Sequence, residues 1–285
     1  MISDRQQLTV QSFILDRGEV DLLVVSGPDS SDFLNRLSTL NFKSDFNGPL
    51  HGAFLNGQAK LISFFTVWKK DEKKYFFIEK EMFQKTKEYL EQMHFAENLK
   101  IEIEKFFCVE TRGNSPKLPS EMEVEAYNWG LPGKYYFDRA SFEVKSILQK
   151  NYDQIRASFG FPKPTVDIAD EHILIEGPFE NFVDRNKGCY PGQEVIEKIY
   201  TYGRVARKIK KLSFSNLTPE VFSELKGKLP FEIESDGNKI GTLTSIYQSS
   251  NGFFGLGTIK RHIYEKQNSL VINLRGQSVF VDLQN

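Results

Sequence analysis

Asn186-Lys-Gly-Cys-Tyr-Pro-Gly-Gln-Glu194, NKGCYPGQE, holds one of only two cysteines in a chain of 285 residues. A cysteine kept for packing sits inside an apolar run, where the thiol behaves as a small hydrophobe. Cys189 stands instead between glycines, beside a lysine, where no apolar period runs. Gly188 and Gly192 allow a tight turn and close approach by another molecule. Pro191 suits the opening of a helix through Gln193, Glu194, Val195, Ile196 and Glu197. Cys189 then lies just ahead of a helix N-terminus, with Arg185 and Lys187 near it in sequence. A helix dipole and two cations favour thiolate over thiol, and Glu194 opposes them only if its carboxylate faces the sulfur. The pattern predicts a presented, reactive thiol, against the plainer reading of a loop cysteine with no role.

On the N-terminal side, residues 161–193 are irregular, with four prolines and several glycines, and such a stretch inside a compact protein is more often functional than idle. Before it, a helix is expected around residues 142–159, ending at Gly160, and residues 112–134 read as loop or linker from their glycines and prolines. LKIEIEKFFCVET alternates apolar and charged residues as a half-buried strand does, with Cys108 inside it as a structural thiol. The spacing of Met82, Phe83, Thr86, Tyr89, Leu90 and Met93 predicts one helical face. Residues 51–68 read as a hairpin about Asn56-Gly57. VDLLVV (20–25) reads as a buried strand, followed by a helix that carries Phe33, Leu34 and Leu37.

On the C-terminal side, from about Arg204, short strand-sized runs separated by Gly, Asn and Asp predict a small antiparallel β-barrel. The expected organisation is therefore α+β, with a first region over 1–204 and a barrel domain over 205–285. The glycines of GFFGLG read as turn and packing glycines, since no helix follows to receive a phosphate.

Thirty-seven basic against 38 acidic residues leave a net charge of −1, so nothing global recruits DNA, RNA or an acidic membrane. No apolar run approaches the roughly 18 residues of a membrane span. The opening MISDRQQLTVQSF lacks the pattern of a signal peptide, and with two free thiols this predicts a cytoplasmic protein. His51, His94, His172 and His262 stand far apart and no CxxC occurs, so no metal of its own is expected. In KIYTYGRVARKIKK the lysines read as the solvated face of a barrel strand. The competing readings are a cationic rim for an acidic partner or ligand, and contact with RNA.

KGCYPGQE, followed ten residues later by Arg204, resembles the K-G-C-Y-x-G-Q-E signature of the YgfZ family, folate-binding proteins related to the T-protein (aminomethyltransferase) of the glycine cleavage system. VSGPDSSDFLNRLST, GAFLNGQAKLISFF, IRASFGFP and IGTLTSIY…GLGTIKR are similar to further segments of that superfamily. The resemblance implies subdomains around a central cleft that holds tetrahydrofolate, with the barrel at the C-terminus. It also implies a role in making or repairing iron–sulfur proteins, with iron–sulfur client or assembly proteins as partners. Carried onto this chain, it makes Cys189 the functional residue, with Lys187, Gly188, Tyr190, Gly192, Gln193, Glu194 and Arg204 as its signature. Asn56, Ser63, Arg156 and Arg204 become the folate candidates. Two departures stand out. Ser63 and Phe64 occupy positions where T-proteins carry aspartates, and neither can act as a carboxylate base. Ser158 replaces the glutamate that anchors the pterin in those enzymes. An accessory protein acting through Cys189 is the leading expectation. The alternatives are a folate-dependent one-carbon transferase and a binding module without chemistry.

Overall fold

The computed structural model describes residues 12–235, 237–250, 252–274 and 277–284, so the opening residues read for a leader lie mostly outside it. A seven-stranded antiparallel sheet leads the chain. Its strands are β1 (Ser12–Ser26), β2 (Leu50–Leu55), β3 (Leu61–Lys70), β4 (Lys73–Ile78), β5 (Lys100–Gly113), β6 (Met122–Ala126) and β7 (Gly133–Asp138), in the order β2-β3-β4-β1-β5-β7-β6. β1 and β5 pair from Ser12↔Gly113 to Ser26↔Lys100, across a bulge at Asp16/Gly18. There Gly18 adopts φ 67°, open to glycine without strain.

The sheet curls. β3 and β7 are four strand steps apart, about 19 Å across a flat sheet, yet Trp68 and Phe137 stack with ring centroids 5.2 Å apart. Phe77 and Tyr135, three steps apart, approach to 4.6 Å. The inside of the curl holds Leu22, Val24, Phe106 and Cys108, so Cys108 is the buried packing thiol its strand pattern predicts. The outer face is covered by α1 (Ser30–Leu37), which buries Phe33, Leu34 and Leu37, and by α2 (Lys80–Met93), which buries Met82, Phe83, Thr86 and Leu90. Both predicted helical faces are the ones that pack. Met93 is the exception and stays exposed.

α3 (Gln149–Ser158) and α4 (Gln193–Tyr202) follow, with an irregular stretch between them. The second sheet comprises β8 (Arg207–Ser215), β9 (Phe231–Ser235), β10 (Asn238–Ser249), β11 (Gly252–Lys260), β12 (Ser269–Leu274) and β13 (Gln277–Gln284). Its order is β12-β13-β8-β11-β10-β9, all antiparallel, with α5 (Pro219–Gly227) and the short α6 (Arg261–Tyr264) beside it. Edge residues Ile233 of β9 and Leu270 and Ile272 of β12 share one core, so this sheet curls into a partial barrel. Gly255 and Gly257 are packing glycines as expected. A Cβ would meet Ser245 O at 2.2 Å or Thr242 O at 2.5 Å. Asp167, before α4, pins the halves together. Its Oδ1 accepts from Thr244 Oγ1 (2.7 Å) and Ser245 Oγ (2.5 Å) of β10. Its Oδ2 accepts from Arg156 Nη1 (3.2 Å) of α3.

Three expectations are corrected. Residues 112–134 are not merely a linker, since β6 and the end of β5 lie there. Their glycines and prolines punctuate short strands. The helix expected over 142–159 begins only at Gln149. The hairpin turn is not a tight Asn-Gly pair: five residues, Asn56 to Lys60, connect β2 and β3, and the positive φ falls on Ala59 at 61°. Among the described residues no helix is long and apolar enough to cross a membrane.

Candidate functional site

The cysteine loop is held on both sides and open in the middle. Tyr190 is 7% exposed, while Cys189 is exposed. Beyond them α4 starts from Gly192, its cap, at φ 82°. Two constraints fix that glycine. Its backbone is in the left-handed region, and a Cβ there would meet Ala59 Cα at 2.6 Å and Asn56 O at 2.7 Å. The β2–β3 turn therefore sits directly against the start of α4. Pro191 precedes the cap instead of opening the helix. Gly188 needs no special conformation and meets only Asn35 Nδ2, at 4.0 Å. A larger residue there would cover part of the space beside Cys189.

Arg185 is engaged away from the sulfur, whereas Lys187 keeps an electrostatic interaction with Cys189 and adds hydrogen bonds of its own. Arg185 Nη2 pairs with Glu197 Oε2 at 2.9 Å and its guanidinium lies 4.5 Å from the Tyr200 ring centroid. Lys187 Nζ donates to Ser38 O (2.6 Å) and to Asn35 O, at the C-terminal end of α1. Helix ends leave carbonyls without intrahelical donors, and a lysine there satisfies both the hydrogen bonds and the dipole. Burial lowers the Lys187 pKa to about 8, against the opposing charges of Asp184 and Cys189. Lys187 is thus a clasp between the loop and α1, with its ammonium also 4.9 Å from the Tyr190 ring centroid. Glu194 is turned to Lys198 at 2.7 Å, which lowers its pKa. Gln193 is half-buried in the first turn of α4, its N–H donating to Tyr190 O (3.2 Å). Arg204, past α4, is 64% exposed and pairs with Glu265 at 3.1 Å.

The folate candidates do not converge. Asn56 Oδ1 accepts from the N–H groups of Gln58 (2.9 Å) and Lys60 (3.0 Å), holding its own turn. Ser63 is fully buried toward α2, where its hydroxyl accepts from Thr86 Oγ1 at 2.7 Å. Arg156 is 3% exposed, with its donors spent on Asp153, Phe161 O, Asp167 and Tyr247. Ser158 Oγ donates to Ile155 O at 2.6 Å within its own helix.

Phe64, one residue from Ser63 and on the opposite face of β3, is the side chain in the central cleft. It stacks on Phe179 at 4.9 Å, with Phe161 and Phe182 edge-on at 6.4 Å. Tyr127 and Trp129 close the rest, leaving about 30 Å³. That is room for about two water molecules, where ligand sites run to about 300 Å³ and more. The residues present therefore do not fit a pterin in this cleft.

Beneath the aromatic layer lies a buried charge network that sequence reasoning missed. Glu110, fully buried on β5, accepts from Arg17 Nε (2.8 Å) of β1 and from Arg112 Nε (2.5 Å). Burial pushes the Glu110 carboxyl up, but Arg17 and Arg112 more than offset it and its pKa falls below the ordinary value. His51 on β2 is held neutral, its pKa lowered to about 4 by burial and then by Arg112. A signal was available: Glu110 and Arg112 share the strand parity of Phe106 and Cys108, so the alternation already placed them inside.

The chain as a whole resembles known proteins at this level. Superposed on the glycine cleavage system aminomethyltransferase T from Bartonella henselae, it gives a TM-score of 0.79 at 14% identity, covering 96% of this chain and 85% of the other. The fold is therefore that of an aminomethyltransferase. The chain is 24% identical over 301 aligned residues, 91% of this chain and 68% of the other, to an Arabidopsis thaliana protein named "Putative transferase At1g60990, chloroplastic". No family model matches the chain.

Proposed function

We propose that this protein is a thiol-dependent accessory factor built on an aminomethyltransferase fold, serving the maturation or repair of iron–sulfur enzymes through Cys189. The observation that carries the reading is the contrast between two sites. The central cleft is filled by aromatic rings, while the one exposed thiol among the described residues stands on a loop clamped by Lys187, Tyr190 and Gly192.

An iron–sulfur cluster takes about four protein ligands, mostly cysteine thiolates. This chain has two cysteines and buries one, so a cluster at Cys189 is cargo shared with a partner that supplies the other ligands. Attack of the Cys189 thiolate on a partner disulfide, forming one mixed disulfide and releasing one partner thiolate, needs only the same exposed sulfur. The resemblance of KGCYPGQE supplies the iron–sulfur context. No step is routed through folate. The one-carbon transferase reading is favoured by the aminomethyltransferase fold and by the relative named a putative transferase, but it lacks an acid or base at Ser63 and Phe64.

The test mixes the purified protein with a cluster-loaded scaffold protein and follows the cluster absorbance and the mixed species. Transfer or a shared cluster that is lost in Cys189→Ser supports the proposal. Transfer that persists in that variant overturns it. Calorimetric titration with tetrahydrofolate separates the second reading. The aromatic cleft is expected to give no saturable heat, whereas tight binding with turnover of methylene-tetrahydrofolate would restore the transferase.

A further inference from the structure

The first half of β5 leaves one edge of the leading sheet open. β5 pairs with β1 along its whole length, from Ser26↔Lys100 to Ser12↔Gly113, whereas β7 takes its other side only from Phe107↔Asp138 to Arg112↔Gly133. Arg139 Nη1 donates to Lys105 O (2.9 Å) and closes the edge at that end. No described strand pairs with the free side of residues 100–104. An unpaired edge is a template for another strand, and this one carries no proline, glycine or bulge to blunt it.

Strand parity shows which groups the edge offers. Lys105 O faces Arg139, and the Gly113 N–H donates to Pro132 O (2.8 Å), both away from β1. Backbone groups alternate sides along an antiparallel strand, so Ile101 and Ile103 also hold their N–H and C=O groups away from β1. Their side chains lie on the outer face of the sheet, where Ile101 is half-buried against the core and Ile103 is 42% exposed. Lys100, Glu102 and Glu104 fall on the other face, with Lys100 and Glu102 exposed.

The corner that leads into this edge is apolar as well. Met93, Phe95 and Ile103 are three of the eight exposed large hydrophobic side chains among the described residues, and they fall within eleven consecutive positions. Phe95 is 96% exposed on a loop that is already built: the N–H groups of Phe95 (3.0 Å) and Ala96 (3.1 Å) donate to Glu97 Oε2, and Glu97 pairs with Arg36 of α1. Apolar groups gathered on a rigid corner beside an open edge mark a contact surface.

We propose that this edge pairs antiparallel with the same edge of a second copy of the chain, about a two-fold axis at Glu102. Ile101 then faces Ile103 of the second copy, and Ile103 faces its Ile101. Each of these pairs exchanges both backbone hydrogen bonds, four in all. Lys100 stands opposite Glu104 of the second copy on either side of the axis, a favourable cross-strand pair. An axis at Ile103 would set Glu102 against Glu104 twice, and one at Ile101 would use only three of the five free residues. The one like-charged pair in the chosen register is Glu102 against itself, which holds the association weak. A five-residue strand pair also buries less than the roughly 800 Å² per partner of a standard interface, so a dissociation constant of about 10–100 μM is expected. The surface does not involve Cys189, so its failure leaves the thiol reading untouched.

Sedimentation velocity of the purified full chain, from about 1 to 500 μM, tests the proposal against that expected range. Ile103→Pro removes only an N–H that the β1 ladder does not use, so the fold is expected to stand while dimerisation weakens about tenfold or more. Ile103→Lys serves the same purpose if the proline variant melts early. Glu102→Gln removes the like charges at the axis and is expected to tighten the dimer about threefold or more. A chain that stays monomeric at about 500 μM overturns the proposal and leaves the edge to an extended segment of another protein. Dimerisation that none of these substitutions changes overturns it too.

Discussion

Lys187→Met removes one ammonium and nearly preserves the stem, so it isolates the clasp between the cysteine loop and α1. Asn35 O and Ser38 O lose their donor, and both residues are buried, Ser38 fully. Hydrogen bonds from a charged group contribute about 1.5–3 kcal/mol each. Taking the lower figure for two bonds gives about 3 kcal/mol, and the apolar methionine tip recovers roughly 1 kcal/mol. A net loss of about 2 kcal/mol follows. In a chain of this size that lowers the melting temperature by roughly 4 °C.

The same lysine has a pH signature. Its folded pKa is about 8 against an ordinary 10.5, so between those values the unfolded chain holds the proton and the folded chain has released it. Stability therefore rises with pH through this window, because the unfolded state binds more protons there. The neutral amine keeps two N–H donors, so both bonds survive the titration. At about 1.36 kcal/mol per pH unit the drop from 10.5 to about 8 would give at most about 3.4 kcal/mol, and solvent screening of this half-buried group reduces it to the order of 1 kcal/mol. Denaturant unfolding at pH 7 and pH 10, for wild type and Lys187→Met, reads the difference with other titrating groups cancelled. The wild type should gain about 1 kcal/mol over the variant on going to high pH. Coincident curves at both pH values would refute the clasp.

Other outcomes follow from the same geometry. Gly192→Ala places a Cβ against the Asn56–Ala59 turn at a positive φ, and a loss of roughly 2–4 kcal/mol is expected in urea unfolding. Glu110→Gln leaves Arg17 and Arg112 buried without a full counter-charge, and about 3–5 kcal/mol should be lost by the same assay. An Ellman titration of the native protein should count one thiol, Cys189, and a second only after unfolding exposes Cys108. Cys189→Ser should reduce the native count to none.

What was legible in the sequence was local. The helical faces of Phe33, Leu34 and Leu37 and of Met82, Phe83 and Leu90 follow from spacing, and Cys108 follows from strand alternation. The presentation of Cys189 followed from its glycines and the absence of apolar period. Residues 112–134 misled because short strands are punctuated by the same glycines and prolines that mark a linker. The sequence pairs Lys187 with the sulfur, an interaction the structure keeps, but its acceptors at the end of α1 lie about 150 positions away in the chain and leave no local signal. Arg156 and Ser63 were carried over as ligand residues from a motif, but the packing around them spends their polar atoms internally. Phe64, read as a missing carboxylate, turns out to be a filling residue of the cleft.

The measurement that bears most directly on the account is complementation of cells lacking this gene, with wild type and with Cys189→Ser, at matched protein levels. The readout is the activity of iron–sulfur enzymes that fail in the deletion. The account expects Cys189→Ser to unfold at the same temperature as wild type and to restore none of that activity. Full restoration by the serine variant would contradict it.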